Sequence, residues 1–147
     1  MKYILILFLL TSINQSGISQ EVEMITDWNK ATELANQENK QILIILTGSD
    51  WCTPCKKMDK KVINQPEFQE YASQRLVLFL IDLTKEVVFD SKNPTNKDYE
   101  VFKKKYETNE LPSLILTDTH GKKIKVLEGK KFDLENVMNQ LSNNNAL

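Results

Sequence analysis

The only two cysteines in a chain of 147 residues, Cys52 and Cys55, sit together in the stretch SDWCTPCKK. Thiols at this spacing can be a structural staple, half of a metal site, or a reagent. As a staple the pair is poor: in the chain-entropy model a bridge closing a loop of about four residues contributes roughly 2 kcal/mol, against about 4.7 kcal/mol for a loop of about 100. As a metal site it is short of ligands, because zinc usually takes four and the chain offers two cysteines, the lone His120 and carboxylates. No metal site is expected. The remaining chemistry is dithiol exchange, in which one thiolate attacks a disulfide and a second thiol intercepts the mixed disulfide.

The elements around the pair must make one thiol reactive and hold the other close. Upstream, TDWNKATELANQENK places Trp28, Ala31, Leu34 and Ala35 at helical spacing, with Thr26 or Asp27 as the cap. QILIILT is an isoleucine-rich run that suits a strand buried on both faces, and the cysteines lie just past its end. CKKMDKKVI carries Met58, Val62 and Ile63 as a buried side among lysines, so the chain turns helical at the motif itself. A second short helix starts at Pro66, a residue favoured in a first turn. RLVLFLIDL reads as another buried strand, Leu76 to Leu83, and TKEVVFDSKNPTNKDYE as a long loop. Tyr99, Phe102 and Tyr106 then mark one face of a helix, with Thr95 and Asp98 spaced as a capping box. A hairpin follows, Ser113 to Thr117 and Lys122 to Leu127 around the turn DTHG, in which His120 is a surface residue without a role. Leu134, Val137, Met138 and Leu141 stripe a last helix.

With a short first strand at EVEMI, this order predicts one α/β layered domain: parallel strands joined by helices, then an antiparallel hairpin, covered by helices on two faces. Cys52 falls at the carboxyl end of a strand, where ligand chemistry gathers in open α/β sheets. At the first turn of a helix its thiol faces unpaired amide donors and the positive end of the helix, which lower a thiol pKa from about 8.5 toward about 7 or below. Lys56 and Lys57 add positive potential. Cys55 lies nearly one turn further in, less exposed than Cys52 but within bonding distance, and Pro54 is tolerated because first-turn amides need no helical partner.

DWCTPCKKM after a buried strand, and ELPSLILTDTHGKKI some way downstream, resemble the active site and cis-proline hairpin of the thioredoxin-like family. The resemblance spans residues 22–142, and TGSDWC with the following NQPEF is similar to the exported bacterial thiol:disulfide interchange branch. It implies a thioredoxin-like fold with a central mixed sheet and helices on both faces, and a domain over residues 20–147. It also implies a cis Pro112 beside Cys52, with the backbone of Leu111 pairing to an extended substrate segment and Trp51 forming one wall of that groove. Two departures stand out. The family's buried carboxylate, six residues before the first cysteine, is replaced by Leu46, and its lysine partner by Leu78. Deprotonation of Cys55 then needs water or another group, for which Asp50 and Asp82 are the candidates.

Composition excludes little but sharpens the setting. At 41% hydrophobic and 8% aromatic the chain has material for a real core, and a formal net charge of −1 gives no global field for nucleic acid. MKYILILFLL followed by TSINQSGISQ has the three-part pattern of a secretory signal over residues 1–19, and its apolar run is about half the roughly 20 residues needed to cross a bilayer. The expectation is an exported, periplasmic monomer. It reduces protein disulfides through Cys52 and Cys55 and is recharged by a membrane or periplasmic electron donor, with no cofactor beyond the dithiol. Family dithiols differ in potential by about 150 mV, roughly 7 kcal/mol for two electrons, and Thr53-Pro54 resembles the reductant's Gly-Pro more than the oxidant's Pro-His. The alternatives are an oxidase or isomerase of protein thiols, or a non-catalytic binding module on the same fold.

Overall fold

The computed structural model describes residues 21–129 and 132–143; the expected signal segment, residues 1–19, lies outside them. In chain order the elements are β1 (Met24–Ile25), α1 (Trp28–Glu38), β2 (Gln41–Thr47), α2 (Thr53–Met58), α3 (Pro66–Arg75), β3 (Leu76–Asp82), α4 (Lys85–Phe89), α5 (Pro94–Tyr106), β4 (Ser113–Thr117), β5 (Lys123–Glu128) and α6 (Leu134–Ser142). A π-helical segment, Asp59–Ile63, continues α2. The five strands form one mixed sheet in the order β1-β3-β2-β4-β5. β1 and β2 flank β3 in parallel, whereas β4 runs antiparallel to both β2 and β5. This is the thioredoxin-like architecture the motifs imply.

Burial explains the unbroken apolar run from Ile42 to Leu46 within QILIILT. β2 lies at the centre of the sheet and is buried at every position, so neither face can be polar. One face packs Leu43, Ile45, Leu78 and Leu114 against Met58, Val62, Phe68 and Val137 of the helices around α2, α3 and α6. The opposite face packs Ile42, Ile44, Leu46, Phe79 and Ile81 against Ala31 and Ala35 of α1 and Phe102 and Tyr106 of α5. There Trp28 meets Phe79 and Phe102 edge-on at 5.0 Å each. Widening α2 into a π-turn allows Met58, Val62 and Ile63 all to be buried.

Two expectations need correction. The stretch 84–100 is not a long loop: Thr84 caps the short α4, and α5 already begins at Pro94. The cap of α5 is Asn93, whose side chain accepts from the Thr95 amide, with Pro94 in the first turn; the Thr95–Asp98 box does not form the cap. An Asn-Pro pair supplies both the acceptor and a preset φ, which outweighs the capping-box spacing. Leu46 and Leu78, which stand at the places of the family's carboxylate and lysine, do not face each other. Leu43 pairs with Leu78 and Leu46 with Ile81, and an offset of three residues along a pleated strand reverses the face. A carboxylate and a lysine at these two positions would point to opposite sides of the sheet.

Leu46 is fully buried, so Leu46→Asp is expected to lower stability by several kcal/mol, the penalty of an unpaired buried carboxyl. Adding Leu78→Lys is expected to give no rescue. Thermal melts of both singles and the double check this, and a double variant more stable than either single would contradict the facial assignment.

Candidate functional site

The chain leaves the top of β2 through Gly48, Ser49, Asp50 and Trp51 and enters α2 at Cys52. Cys52 is the N-cap: its backbone is extended, at φ −81° and ψ 104°, and its Sγ accepts from the Cys55 amide at 3.3 Å. Its own amide donates to the Gly48 carbonyl at 2.9 Å, and its carbonyl accepts from Lys56 at 3.1 Å. Thr53 and Pro54 occupy the first turn, where a missing proline N–H costs nothing. Cys52 and Cys55 are joined as a disulfide. Cys55 is completely buried, and Cys52 is only 6% exposed, less open than expected from its place at a helix start. The cis-proline loop lies over it: Cys52 Sγ is 4.0 Å from the Leu111 carbonyl oxygen.

The Leu111–Pro112 peptide is cis. The loop that carries it is fastened at its start to Glu128 of β5, which accepts from Thr108 Oγ1 and from the Asn109 amide. Ser113 Oγ donates to the Glu110 carbonyl at 2.6 Å. On the other side of the disulfide Trp51 is 43% exposed, and its Nε1 donates to the Leu83 carbonyl at 2.5 Å. Gly48 is required beneath that ring, because a Cβ there would come within 2.8 Å of it. Cys52, Cys55, Trp51, Leu111 and Pro112 are thus brought together around one sulfur pair.

The charged candidates are engaged elsewhere. Asp50 caps the next element, its carboxylate accepting from the Lys85 amide at 3.0 and 3.1 Å. Lys56 Nζ donates to the Asp50 carbonyl at 2.8 Å. Asp82 accepts from the amide and the hydroxyl of Ser49. All three organise the loop before Cys52, and none is hydrogen-bonded to a sulfur.

Sequence reasoning missed Asp59. It follows Cys55 by four residues, and its amide donates to the Cys55 carbonyl. With Thr47, Ser49, Asn64 and Asp82 it lines a cavity of about 180 Å³. Thr47 and Asp82 are register partners on adjacent strands, and the buried Thr47 hydroxyl has no hydrogen-bond partner among the described residues. Burial, and then the charge of Asp82, hold the Asp59 carboxyl above its ordinary value of 3.8. The i, i+4 spacing from Cys55 was the available signal. Among the described residues no group of three or more metal-ligating side chains gathers at any point.

A family profile described as a thioredoxin-like domain matches residues 28–141. Among curated proteins, the disulfide bond reductase DsbH of Chlamydia pneumoniae is 30% identical over 95 residues, covering 65% of this chain and 56% of that protein. The thiol:disulfide interchange protein DsbD of Photorhabdus laumondii is 24% identical over 114 residues, 78% of this chain and 18% of that protein. The chain therefore spans about half the length of DsbH and far less of DsbD. Among solved structures, a DsbH oxidoreductase superposes with a TM-score of 0.72 at 21% identity, covering 84% of this chain and 83% of its own. The C-terminal domain of Neisseria meningitidis DsbD in the oxidised form gives 0.61 at 16% identity, covering 83% and 99%.

The raised pKa of Asp59 has a testable sign. The folded protein holds this proton to higher pH than the unfolded chain does, so its contribution favours folding below the unfolded value of 3.8 and is lost as pH rises through the folded value. Asp59→Asn should therefore melt at a higher temperature than the wild type at pH 7, and the gap should close below about pH 4. A variant less stable than the wild type at neutral pH would overturn this reading.

Proposed function

The chain belongs to the thioredoxin-like family, and from that membership and the disulfide capping α2 we propose that it is an exported thiol:disulfide oxidoreductase that reduces protein disulfides. The observation that carries the reading is the convergence of the Cys52–Cys55 disulfide, the exposed Trp51 and the cis Leu111–Pro112 peptide at the carboxyl end of the central strand β2. The names of the relatives, a disulfide bond reductase and a thiol:disulfide interchange protein, point the same way. The N-terminal run MKYILILFLL supports export. Among the described residues no helix is long and apolar enough to cross a membrane.

The mechanism follows from position. In the reduced protein the Cys52 thiolate occupies the cap of α2, stabilised by the Cys55 amide and the helix N-terminus. It attacks one sulfur of a substrate disulfide; that S–S bond breaks, and the departing substrate thiolate takes a proton from solvent. The substrate chain is held meanwhile by the backbone of Leu111, next to Pro112. Cys55 then loses its proton and attacks the Cys52 sulfur of the mixed disulfide, expelling the second substrate thiolate and forming the Cys52–Cys55 bond. Because Cys55 is fully buried, its proton needs an internal acceptor. Asp59 is suited to it: it lies on the same helix face, and its raised pKa brings it closer to neutrality. Two electrons from an external dithiol donor restore the starting state.

Insulin reduction with dithiothreitol, comparing wild type with Cys52→Ser, tests the activity. The rate above the dithiothreitol background should vanish in the variant, and equal rates would leave a non-catalytic binding module as the better reading. A short iodoacetamide pulse on the reduced protein at neutral pH should modify Cys52 before Cys55. Mass spectrometry reads the order, and preferential labelling of Cys55 would contradict the assigned roles.

A further inference from the structure

We propose that the groove formed by Trp51, Lys85, Val88 and Phe89 is a specificity pocket for a large apolar side chain lying two or three residues from the cysteine of an extended protein substrate. The inference rests on the oxidoreductase reading and adds to it the kind of segment this protein selects.

Four large apolar side chains are exposed among the described residues, Trp51 at 43%, Val88 at 47%, Phe89 at 86% and Val101 at 53%. Three of them line a single groove of about 290 Å³. α4, which supplies Val88 and Phe89, buries none of its residues, so it adds nothing to the core. It is nonetheless held firmly. Asp50 binds the Lys85 amide, Thr84 caps Val87, and Asn96 Nδ2 donates to the Val87 carbonyl at 2.6 Å and the Asp90 carbonyl at 2.8 Å. Trp51 is tied to Leu83 immediately before it. A rigid element that exposes apolar surface and stabilises no core is preorganised for a ligand.

Topology identifies the occupant. The disulfide stands at the end of β2, with β3 on one side and β4 on the other. The cis-proline loop leads into β4, and the groove follows β3. A substrate segment paired to Leu111, with its cysteine at Cys52, must therefore continue over the β3 side, where Trp51 and α4 stand. Strands are spaced about 4.8 Å apart and an extended chain advances about 3.3 Å per residue, so the groove is reached about two or three residues from the substrate cysteine.

The test uses synthetic peptides whose single cysteine carries a thionitrobenzoate leaving group, with phenylalanine or serine three residues from that cysteine. In stoichiometric mixing with the reduced wild type, the second-order rate constant for thionitrobenzoate release should favour the phenylalanine peptide roughly tenfold. In the Val88→Ser/Phe89→Ser double variant the ratio should fall to about one, and Phe89→Leu should retain most of it. Val101→Ser, outside the groove, should keep the full ratio, and a melt of each variant checks folding. Retention of the preference by the double variant, or its absence in an active wild type, overturns the pocket. A concentration-dependent dimer in sedimentation that the double variant abolishes would assign the groove to a second copy and also overturn it. A wild type that reduces neither these peptides nor insulin fails at the oxidoreductase reading itself.

Discussion

Cys52 Sγ serves two bonds: it accepts the Cys55 amide as the cap of α2 and is joined to the sulfur of Cys55. Cap and reagent are the same atom, and much of the site follows from that. A helix cap must have extended backbone and an acceptor aimed at the first turn, which fixes the direction in which the sulfur points. The same geometry places the second thiol within bonding distance without any loop to close. A serine at this position would still cap α2, so loss of chemistry need not mean loss of fold.

The short loop before the cap owes its rigidity to β3. Ser49 is bound by Asp82, Trp51 by the Leu83 carbonyl, and Asp50 binds the Lys85 amide. Each of these three links joins the end of β2 to the end of β3 or to the element just beyond it. The other flank is secured by Glu128, which ties the cis-proline loop to β5. The disulfide thus sits between two independently anchored walls. The carboxylates considered as thiol-tuning groups act in the structure as loop anchors, an assignment that depends on which amides lie within reach and not on proximity in sequence.

The parts of this arrangement visible in the sequence are those with strong local signals. β2 and β3 are continuous apolar runs because a central parallel strand is buried on both faces, and the cysteine pair announces itself by type and spacing. Trp51, Leu111 and Pro112 were reached through the family resemblance. α4 was invisible because a five-residue helix that buries nothing has no periodicity to read. The resemblance placed Pro112 beside Cys52, but the burial of Cys52 to 6% exposure was not legible, because the loop covers it through a tertiary contact across 59 residues. Asp59 was overlooked for a related reason. In CKKMDKKVI it reads as one more charge on a lysine-rich helix, and its meaning appears only when the π-turn sets it against Thr47 and Asp82.

The proposed role of Asp59 as acceptor of the Cys55 proton would account for a leucine where the family carries a buried carboxylate. The requirement is a proton acceptor within reach of a buried thiol, not a particular strand position. Leu46 lies on the sheet face packed by α1 and α5 and contributes to that core. The polar cavity lies on the other face, at the carboxyl ends of β2 and β3. A carboxylate carried by the active-site helix moves with Cys55 whenever α2 shifts, whereas one carried by a strand does not. It also stays partly solvated at the cavity mouth, so its desolvation cost is smaller than that of a carboxyl sealed inside an apolar core. With the acid on the helix in this proposal, β2 carries only apolar residues from Ile42 to Leu46, between Gln41 and Thr47, and the Thr47 hydroxyl, which has no partner among the described residues, belongs to the lining of the cavity.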